Sequence, residues 1–577
     1  MKPHKILTGL ILLAAWILVS LPVQAEYEVQ FEKDVMIPMR DGVKLAANIF
    51  RPKADGKFPV VLMRSPYGKG DEKQGDGLRY APKGYVVVNQ DCRGKGSSEG
   101  EWEPFKYDRD DGHDTYKWIL KQPWSNGEIG TYSGSYLGFT QWISAPGSEC
   151  VKAMFPVVPL IDPYGDATYD GGAFNLSLSF TWGAMVSVKK DEKIPQIDWA
   201  EAHRVLPLFT WDEKVTGRKV QFLRDWVTHT YFDDYWAERS ARNNLADITA
   251  PMLNIAGWYD IFSRSNLQYV NAVRNLAKSE IARKHAHIIM GPWTHGISKD
   301  GKVGQMDFGK ESVIDMGDLQ EKWFEHWLKG KDTGMENLAP FRIFVMGRNE
   351  WRDEQEWPLA RAQYVPYYFH SNGSANTLKG DGVLSTKPLG AEPPDKYVYH
   401  PDDPVPTLGG NNLVGPAGPT DQRKAEERAD VLVYTGPELK EEMEVTGPVK
   451  VVLYASSSAK DTDWTAKLVD VHPDGRAINL CDGIIRARCR ESLENPTLIE
   501  PGKIYQYDID VWVTSNVFLP GHRVRVEISS SNFPRHDRNP NTGHPFAQEV
   551  DLRKADQMIY HDRDHPSHIL LPVIPKG

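Results

Sequence analysis

Six short, nearly uninterrupted apolar runs limit what this chain can become: Pro59–Met63, Tyr85–Asn89, Ile129–Tyr132, Val151–Val158, Met252–Ala256 and His287–Met290. Runs without a polar face suit strands covered on both sides, as in a parallel sheet. Between them lie helical stretches such as Asp114–Lys121 and Met316–Leu328, the latter with Leu319, Trp323 and Trp327 at i, i+4 and i+8. Strand alternating with helix predicts an α/β sheet, mostly parallel. An antiparallel hairpin precedes it, with Val35–Met39 and Val43–Phe50 joined at the turn dipeptide Asp41-Gly42.

Two segments break the rhythm. From about Gly171 to Asn244 the pattern is helical and aromatic-rich, with Trp182, Trp199, Trp211, Trp226 and Trp236 among its rings, and reads as a cap inserted over the sheet. Beyond Leu328-Lys329-Gly330, short strand-like runs separated by Gly, Pro, Asp and Asn turns predict an all-β sandwich of the jelly-roll kind. Residues 372–419 read as one long Gly/Pro-rich loop of that domain. The expected division is a signal peptide at 1–25, the first part of an α/β core at 26–170, a helical cap at 171–249, the second part of the core at 250–340 and the β-sandwich at 341–577.

The N-terminus carries Lys2, His4 and Lys5, an apolar run from Ile6 to Val19, and small residues at Val23-Gln24-Ala25. This pattern predicts a secretory signal cleaved near Ala25, with the mature chain in a periplasm or outside the cell. The run has roughly 14 residues, short of the ~20 that span a bilayer, so no stable membrane anchor is expected. Apolar residues at 40%, charged residues at 25% and a net charge of −10 without a Lys/Arg block exclude a disordered chain and argue against a nucleic-acid partner. The four cysteines have no C-x-x-C spacing. Export permits a disulfide, for which Cys481 and Cys489 are the nearest pair, and free buried thiols are the alternative. The cluster His561, Asp562, Asp564, His565 and His568 invites a metal reading, but it sits beside Pro566 just before an apolar strand, and no metal or other cofactor is expected.

The chemistry concentrates at strand ends. Gly130-Thr131-Tyr132-Ser133-Gly134-Ser135-Tyr136-Leu137-Gly138 lies where a buried strand gives way to a helix. A nucleophilic serine on such a turn needs small neighbours, because the chain must reverse sharply and lift the hydroxyl clear of the backbone. Ser133, Gly134 and Gly138 supply them around Ser135, although the spacing departs from strict G-x-S-x-G. Ser133, next to bulky Tyr132, is the weaker rival. A serine also needs a base, and the base a carboxylate. Asp260 in Gly257-Trp258-Tyr259-Asp260 and His295 in Gly291-Pro292-Trp293-Thr294-His295 follow apolar strands in the order Ser, Asp, His. Both therefore fall on the same sheet edge as Ser135.

With Arg64-Ser65-Pro66-Tyr67, Gln90-Asp91-Cys92-Arg93-Gly94, Asn532-Phe533-Pro534-Arg535 and Asn541-Thr542-Gly543 added, the sequence resembles the CocE/NonD hydrolases, the X-Pro dipeptidyl-peptidase-like serine hydrolases, over nearly the whole mature chain. The resemblance implies an α/β-hydrolase core, a helical cap, a C-terminal jelly roll, and an oxyanion hole made by the Tyr67 hydroxyl and the Tyr136 N–H. Asp91-Cys92-Arg93-Gly94-Lys95-Gly96 looks like a phosphate loop, but no Ser or Thr follows Gly-Lys, so no nucleotide is expected. Within the family, α-amino acid ester hydrolases carry carboxylates after the triad aspartate where this chain has Ile261, Phe262 and Ser263. X-Pro dipeptidyl peptidases carry an N-terminal extension not seen here. The expected partner is therefore a small acyl ester or amide with an apolar acyl group. Trp258, Phe262, Trp293 and the aromatic cap segment are candidate pocket walls, with Asp166 or Asp170 as the acid that an amine would require. A carbohydrate-binding or catalytically inactive binding protein is the non-enzymatic alternative, and a homo-oligomer is left open.

Overall fold

The computed structural model describes residues 26–73, 75–189 and 192–576; the signal peptide expected at 1–25 lies outside them. The hairpin forms as β1 (Val29–Pro38) and β2 (Lys44–Pro52), with Ile37 opposite Leu45 and Gly42 at φ 89°. The apolar runs become β3 (Phe58–Ser65), β4 (Val86–Asp91), β5 (Ser125–Gly134), β6 (Val151–Val157), β7 (Met252–Gly257) and β8 (Ala286–Gly291). Two further strands, β9 (Phe341–Val345) and β10 (Glu350–Glu354), complete a sheet of order β1-β2-β4-β3-β5-β6-β7-β8-β9-β10. From β4 to β9 every pairing is parallel, and antiparallel partners stand at both edges.

Helices Asp108–Leu120, Tyr136–Ser144, Ser263–Leu276 and Met316–Lys329 make the crossovers. The last packs so closely on the sheet that a Cβ at Gly130 would come within 2.8 Å of Phe324 and Leu328. Every residue of β4, β7 and β8 is buried, which is why their sequences carry no alternation.

The chain leaves the sheet after Val157 and returns at Met252. The excursion begins earlier than the expected 171, with a wide helical turn at Pro163–Thr168 and a small hairpin pairing Tyr169–Asp170 with Ala173–Phe174. The helices Leu176–Val186, Trp211–Thr216, Gln221–Thr228 and Asp234–Arg239 then follow.

The boundary expected at 341 falls too early. Phe341–Val345 pairs with β8, with Ile288 opposite Phe341, and belongs to the first sheet. A short, mostly apolar strand reads the same in either domain, and only the crossover through Met316–Lys329 assigns it. The all-β domain starts with strand Gln363–His370 and forms an eleven-stranded sheet. Residues 372–419 are not all loop, because Asp395–Tyr399 pairs antiparallel with Ala555–Tyr560. All four cysteines are free thiols, so the Cys481–Cys489 pairing does not form: Cys481 lies in the strand Ala477–Arg486, and Cys489 packs on Gly172 of the cap. Among the described residues no helix is long and apolar enough to cross a membrane.

Candidate active site

Ser135 occupies the turn between β5 and helix Tyr136–Ser144 at φ 57°, ψ −126°, a conformation L-residues rarely adopt. The turn is held by the Ser135 N–H on Val157 O at 2.9 Å. It requires small neighbours: a Cβ on Gly134 would meet Val157 O at 2.9 Å, and one on Gly138 would meet Pro159 at 2.7 Å. As the first helical residue, Tyr136 has a backbone N–H with no acceptor in its own helix.

Asp260 and His295 reach Ser135 from the ends of β7 and β8, on the far side of β6. Gly257 and Gly291 are register partners at the ends of β7 and β8, and the two turns are stitched by Trp258 N–H on Gly291 O (2.8 Å) and Tyr259 N–H on Trp293 O (2.9 Å). His295 Nδ1 lies 2.6 Å from Asp260 Oδ2 and its Nε2 2.9 Å from Ser135 Oγ. Asp260 is fully buried; its other oxygen accepts the Phe262 N–H at 2.9 Å. The imidazole thus donates from Nδ1 and accepts at Nε2. Ser133 takes no part in this chain, and its carbonyl is engaged by Gln141 Nε2 at 3.0 Å.

Tyr67 stands at the mouth. Its hydroxyl accepts from Trp182 Nε1 at 2.9 Å, leaving its own proton free to donate, and the surrounding protein pushes its pKa up to about 12 by desolvation. The ring of Tyr136 is fixed from behind: its hydroxyl donates to Asp108 Oδ2 at 2.6 Å and accepts the Phe105 N–H at 2.8 Å, while Arg64 donates to Asp108 O at 2.6 Å. Arg64, together with Cys92, whose Sγ lies 3.7 Å from Asp108 Oδ1, therefore braces the Ser135 turn through Asp108. In the phosphate-loop lookalike, Asp91 pairs with Lys69, Arg93 with Asp111 and Asp41, and Lys95 is bound to the carbonyls of Val186 and Val188, so both of its cations are engaged.

Beside Ser135 opens an apolar pocket walled by Phe105, Trp182, Trp226, Phe262, Leu178 and Leu413. Phe262 meets the His295 ring edge-on at 5.5 Å, and Phe105, Tyr136, Trp182 and Trp226 form a stack with centroids 5.2–6.0 Å apart. Trp258 and Trp293, expected as walls, are elsewhere. Both are fully buried, with Nε1 bonded to Phe344 O (2.8 Å) and Ser312 O (3.1 Å), and they clamp the two turns to the sheet. Sequence reasoning missed Phe105, Leu178 and Leu413. Leu413 had no signal, since it lies in the Gly/Pro-rich segment.

Neither candidate acid serves the pocket as free charge. Asp170 is tied to Arg264 and the Trp512 indole; Asp166 accepts the N–H groups of Ile161 and Asp162, and burial beside Asp162 holds its carboxyl far above the usual range. The His561 cluster disperses: His561 is buried against Asp395 and Ser371, His565 bonds Asp562, and His568 bonds Pro566 O.

Residues 41–297 match the X-Pro dipeptidyl-peptidase (S15 family), and residues 333–570 match the X-Pro dipeptidyl-peptidase C-terminal non-catalytic domain. The cocaine esterase of Rhodococcus sp. (strain MB1 Bresler) is 42% identical over 94% of this chain and 98% of its own. The chain belongs to the CocE/NonD family of X-Pro dipeptidyl-peptidase-like hydrolases. It is a serine hydrolase with an α/β core and a separate all-β C-terminal domain. Among solved structures, an aminopeptidase from the marine sediment archaeon Thaumarchaeota archaeon superposes with a TM-score of 0.82 at 27% identity, covering 95% of this chain and 97% of that one. An α-amino acid ester hydrolase superposes with a TM-score of 0.80 at 26% identity, covering 96% and 98%.

Proposed function

We propose that this CocE/NonD hydrolase cleaves small esters of neutral, apolar acyl groups through an acyl-enzyme on Ser135. Ser135 Oγ attacks the acyl carbonyl as His295 Nε2 takes its proton, and Asp260 holds the imidazole tautomer and offsets the charge that forms. The Tyr67 hydroxyl and the Tyr136 N–H receive the negative charge on the carbonyl oxygen. His295 then returns its proton to the leaving oxygen, and water repeats the sequence on the acyl-enzyme. The observation that carries this reading is the continuous Ser135–His295–Asp260 hydrogen-bond chain opening into an aromatic pocket. Similarity to a cocaine esterase along the full chain favours ester over peptide bonds. An α-amino substrate, as the names of the two solved relatives would suggest, needs an anionic partner, and among the described residues of the pocket wall there is no carboxylate.

A fluorophosphonate probe tests the assignment. The native protein and Ser133→Ala should label and hydrolyse p-nitrophenyl esters, while Ser135→Ala should do neither and remain folded; labelling of Ser135→Ala would overturn it. We also propose that the protein is exported and begins near Glu26, for which N-terminal sequencing of the secreted or periplasmic protein is the check.

A further inference from the structure

Far from Ser135 in sequence, two strands of the C-terminal domain bring two histidines and an aspartate together. Strand Asp463–Val471 pairs antiparallel with Arg523–Ser529, with Asp470 opposite Val524 and Val471 opposite Arg523. Carried one residue further, that register sets His472 opposite His522. Residues two apart share a face, so Asp470, His472 and His522 all lie on one side of the strand ends. The side chains bear this out. The imidazole rings are 4.5 Å apart, His522 Nδ1 lies 2.8 Å from Asp470 Oδ1, His472 Nε2 lies 4.0 Å from Asp470 Oδ2, and one donor atom from each residue falls within 4.8 Å of the other two.

Asp470 and His522 are buried and His472 nearly so. Together they line a cavity of about 110 Å³ between the two domains, whose other walls include Tyr259, Met306 and Met346. His522 Nδ1 already serves one oxygen of that carboxylate and Asn516 Nδ2 faces the other. A second imidazole turned toward the same carboxylate, with no hydrogen bond of its own among the described residues, is unnecessary for packing. It is what a metal shell requires.

We infer that Asp470, His472 and His522 form a binding site for a divalent transition-metal ion, with water in the cavity completing its coordination. Two imidazoles and one carboxylate favour borderline ions such as Zn²⁺, Co²⁺ or Ni²⁺ over Ca²⁺ or Mg²⁺, which take oxygen ligands. Metal–ligand distances of about 2.0–2.2 Å need the donors only to close in modestly by side-chain rotation. Asn516 Nδ2, 3.5 Å from Asp470 Oδ2, would back the carboxylate. The role is structural. Tyr259 precedes Asp260, and Met306 lies in the segment that follows His295, so an ion here would fasten the C-terminal strand ends under the turns that carry both residues.

The test is to titrate chelator-treated full-length protein with Co²⁺ and follow heat and visible absorption. The expected result is one equivalent bound, with the absorption of a His-ligated ion of low coordination number, undiminished by excess Mg²⁺, and a raised melting temperature. His472→Ala and His522→Ala should each abolish that equivalent, and Asn516→Leu should weaken it about tenfold, with ester hydrolysis retained. His472 sits on a partly exposed turn, so its variant decides the matter if His522→Ala fails to fold. Absence of a bound equivalent in the native protein, or an equivalent that persists in His472→Ala, would reduce the cluster to a hydrogen-bonded strand pair.

Discussion

Ser135 is held in a backbone conformation that costs on the order of 1–3 kcal/mol, and Gly134 and Gly138 leave the room that makes it attainable. What the strain provides is direction: Oγ faces His295, and Tyr67 and Tyr136 line the same pocket. Of the two proposed donors to the carbonyl oxygen, Tyr67 is the one a side-chain substitution can remove. Tyr67→Phe should lower kcat about 10²- to 10³-fold with little change in KM, since the bond strengthens as charge develops. Asp260→Asn, which presents the wrong partner to Nδ1, should lower kcat about 10⁴-fold. Steady-state kinetics on a p-nitrophenyl ester checks both, and near-full activity in either variant removes that residue from the mechanism. The hydrogen-bonded set Ser135, His295 and Asp260 was legible because each of the three follows a buried strand. Trp258 and Trp293 were misread because an aromatic after a strand looks alike whether it faces a ligand or the underside of its own turn. Only the hydrogen bonds to Phe344 and Ser312 separate the two cases.

At the scale of elements, the acid turn is fastened from outside its own domain. Asn411 Nδ2 lies 2.8 Å from both Trp258 O and Asp260 O and 3.2 Å from Ser263 Oγ, so a C-terminal segment without regular structure pins the turn that carries the carboxylate. Asn411→Leu should lower kcat, by about tenfold or more, much further than it changes KM, and slow fluorophosphonate labelling in parallel while the melting temperature shifts by only a few degrees. An equal loss through KM would mean that Asn411 shapes the pocket instead. The strand β8, which delivers His295, carries a second titratable group. His287 is buried with Nδ1 on Ala339 O and Nε2 without a partner among the described residues, and desolvation lowers its pKa to about 4. Between about 6.5 and 4 the unfolded chain takes up a proton that the folded one refuses. This contribution is therefore full above about 6.5 and is lost as pH falls toward 4. His287→Asn should show a shallower fall in urea midpoint over that window, and parallel curves would show that another group dominates. The central strands were legible from their lack of alternation. β9 and β10 were not: only the crossover tells which sheet the short strand β9 joins, and β10, Glu350-Trp351-Arg352-Asp353-Glu354, is too charged to read as a strand and is placed by pairing with β9.

The apolar pocket beside Ser135 belongs to no single domain. The core supplies Phe105 and Phe262, the cap supplies Leu178, Trp182 and Trp226, and the C-terminal domain supplies Leu413. A sequence reading can name the aromatic cap as a wall, but it cannot foresee Leu413, whose position follows from the path of residues 400–419 back over the sheet edge. All these walls are apolar, and the carboxyl of Asp166 is held by the backbone N–H groups of Ile161 and Asp162. A free α-ammonium entering this space would lose its hydration without gaining a partner, and the cost would persist in the transition state. The phenylacetyl ester should therefore be hydrolysed faster than the matching phenylglycine ester at a pH where the amine is charged, by about tenfold or more in kcat/KM, or at least about 1.4 kcal/mol. Raising the pH until the amine is neutral should narrow the gap, because only the charge separates two otherwise similar acyl groups. A phenylglycine ester that is the faster substrate while charged would mean that Asp166 gives up its backbone partners to face the pocket, and Asp166→Asn should then reverse the preference.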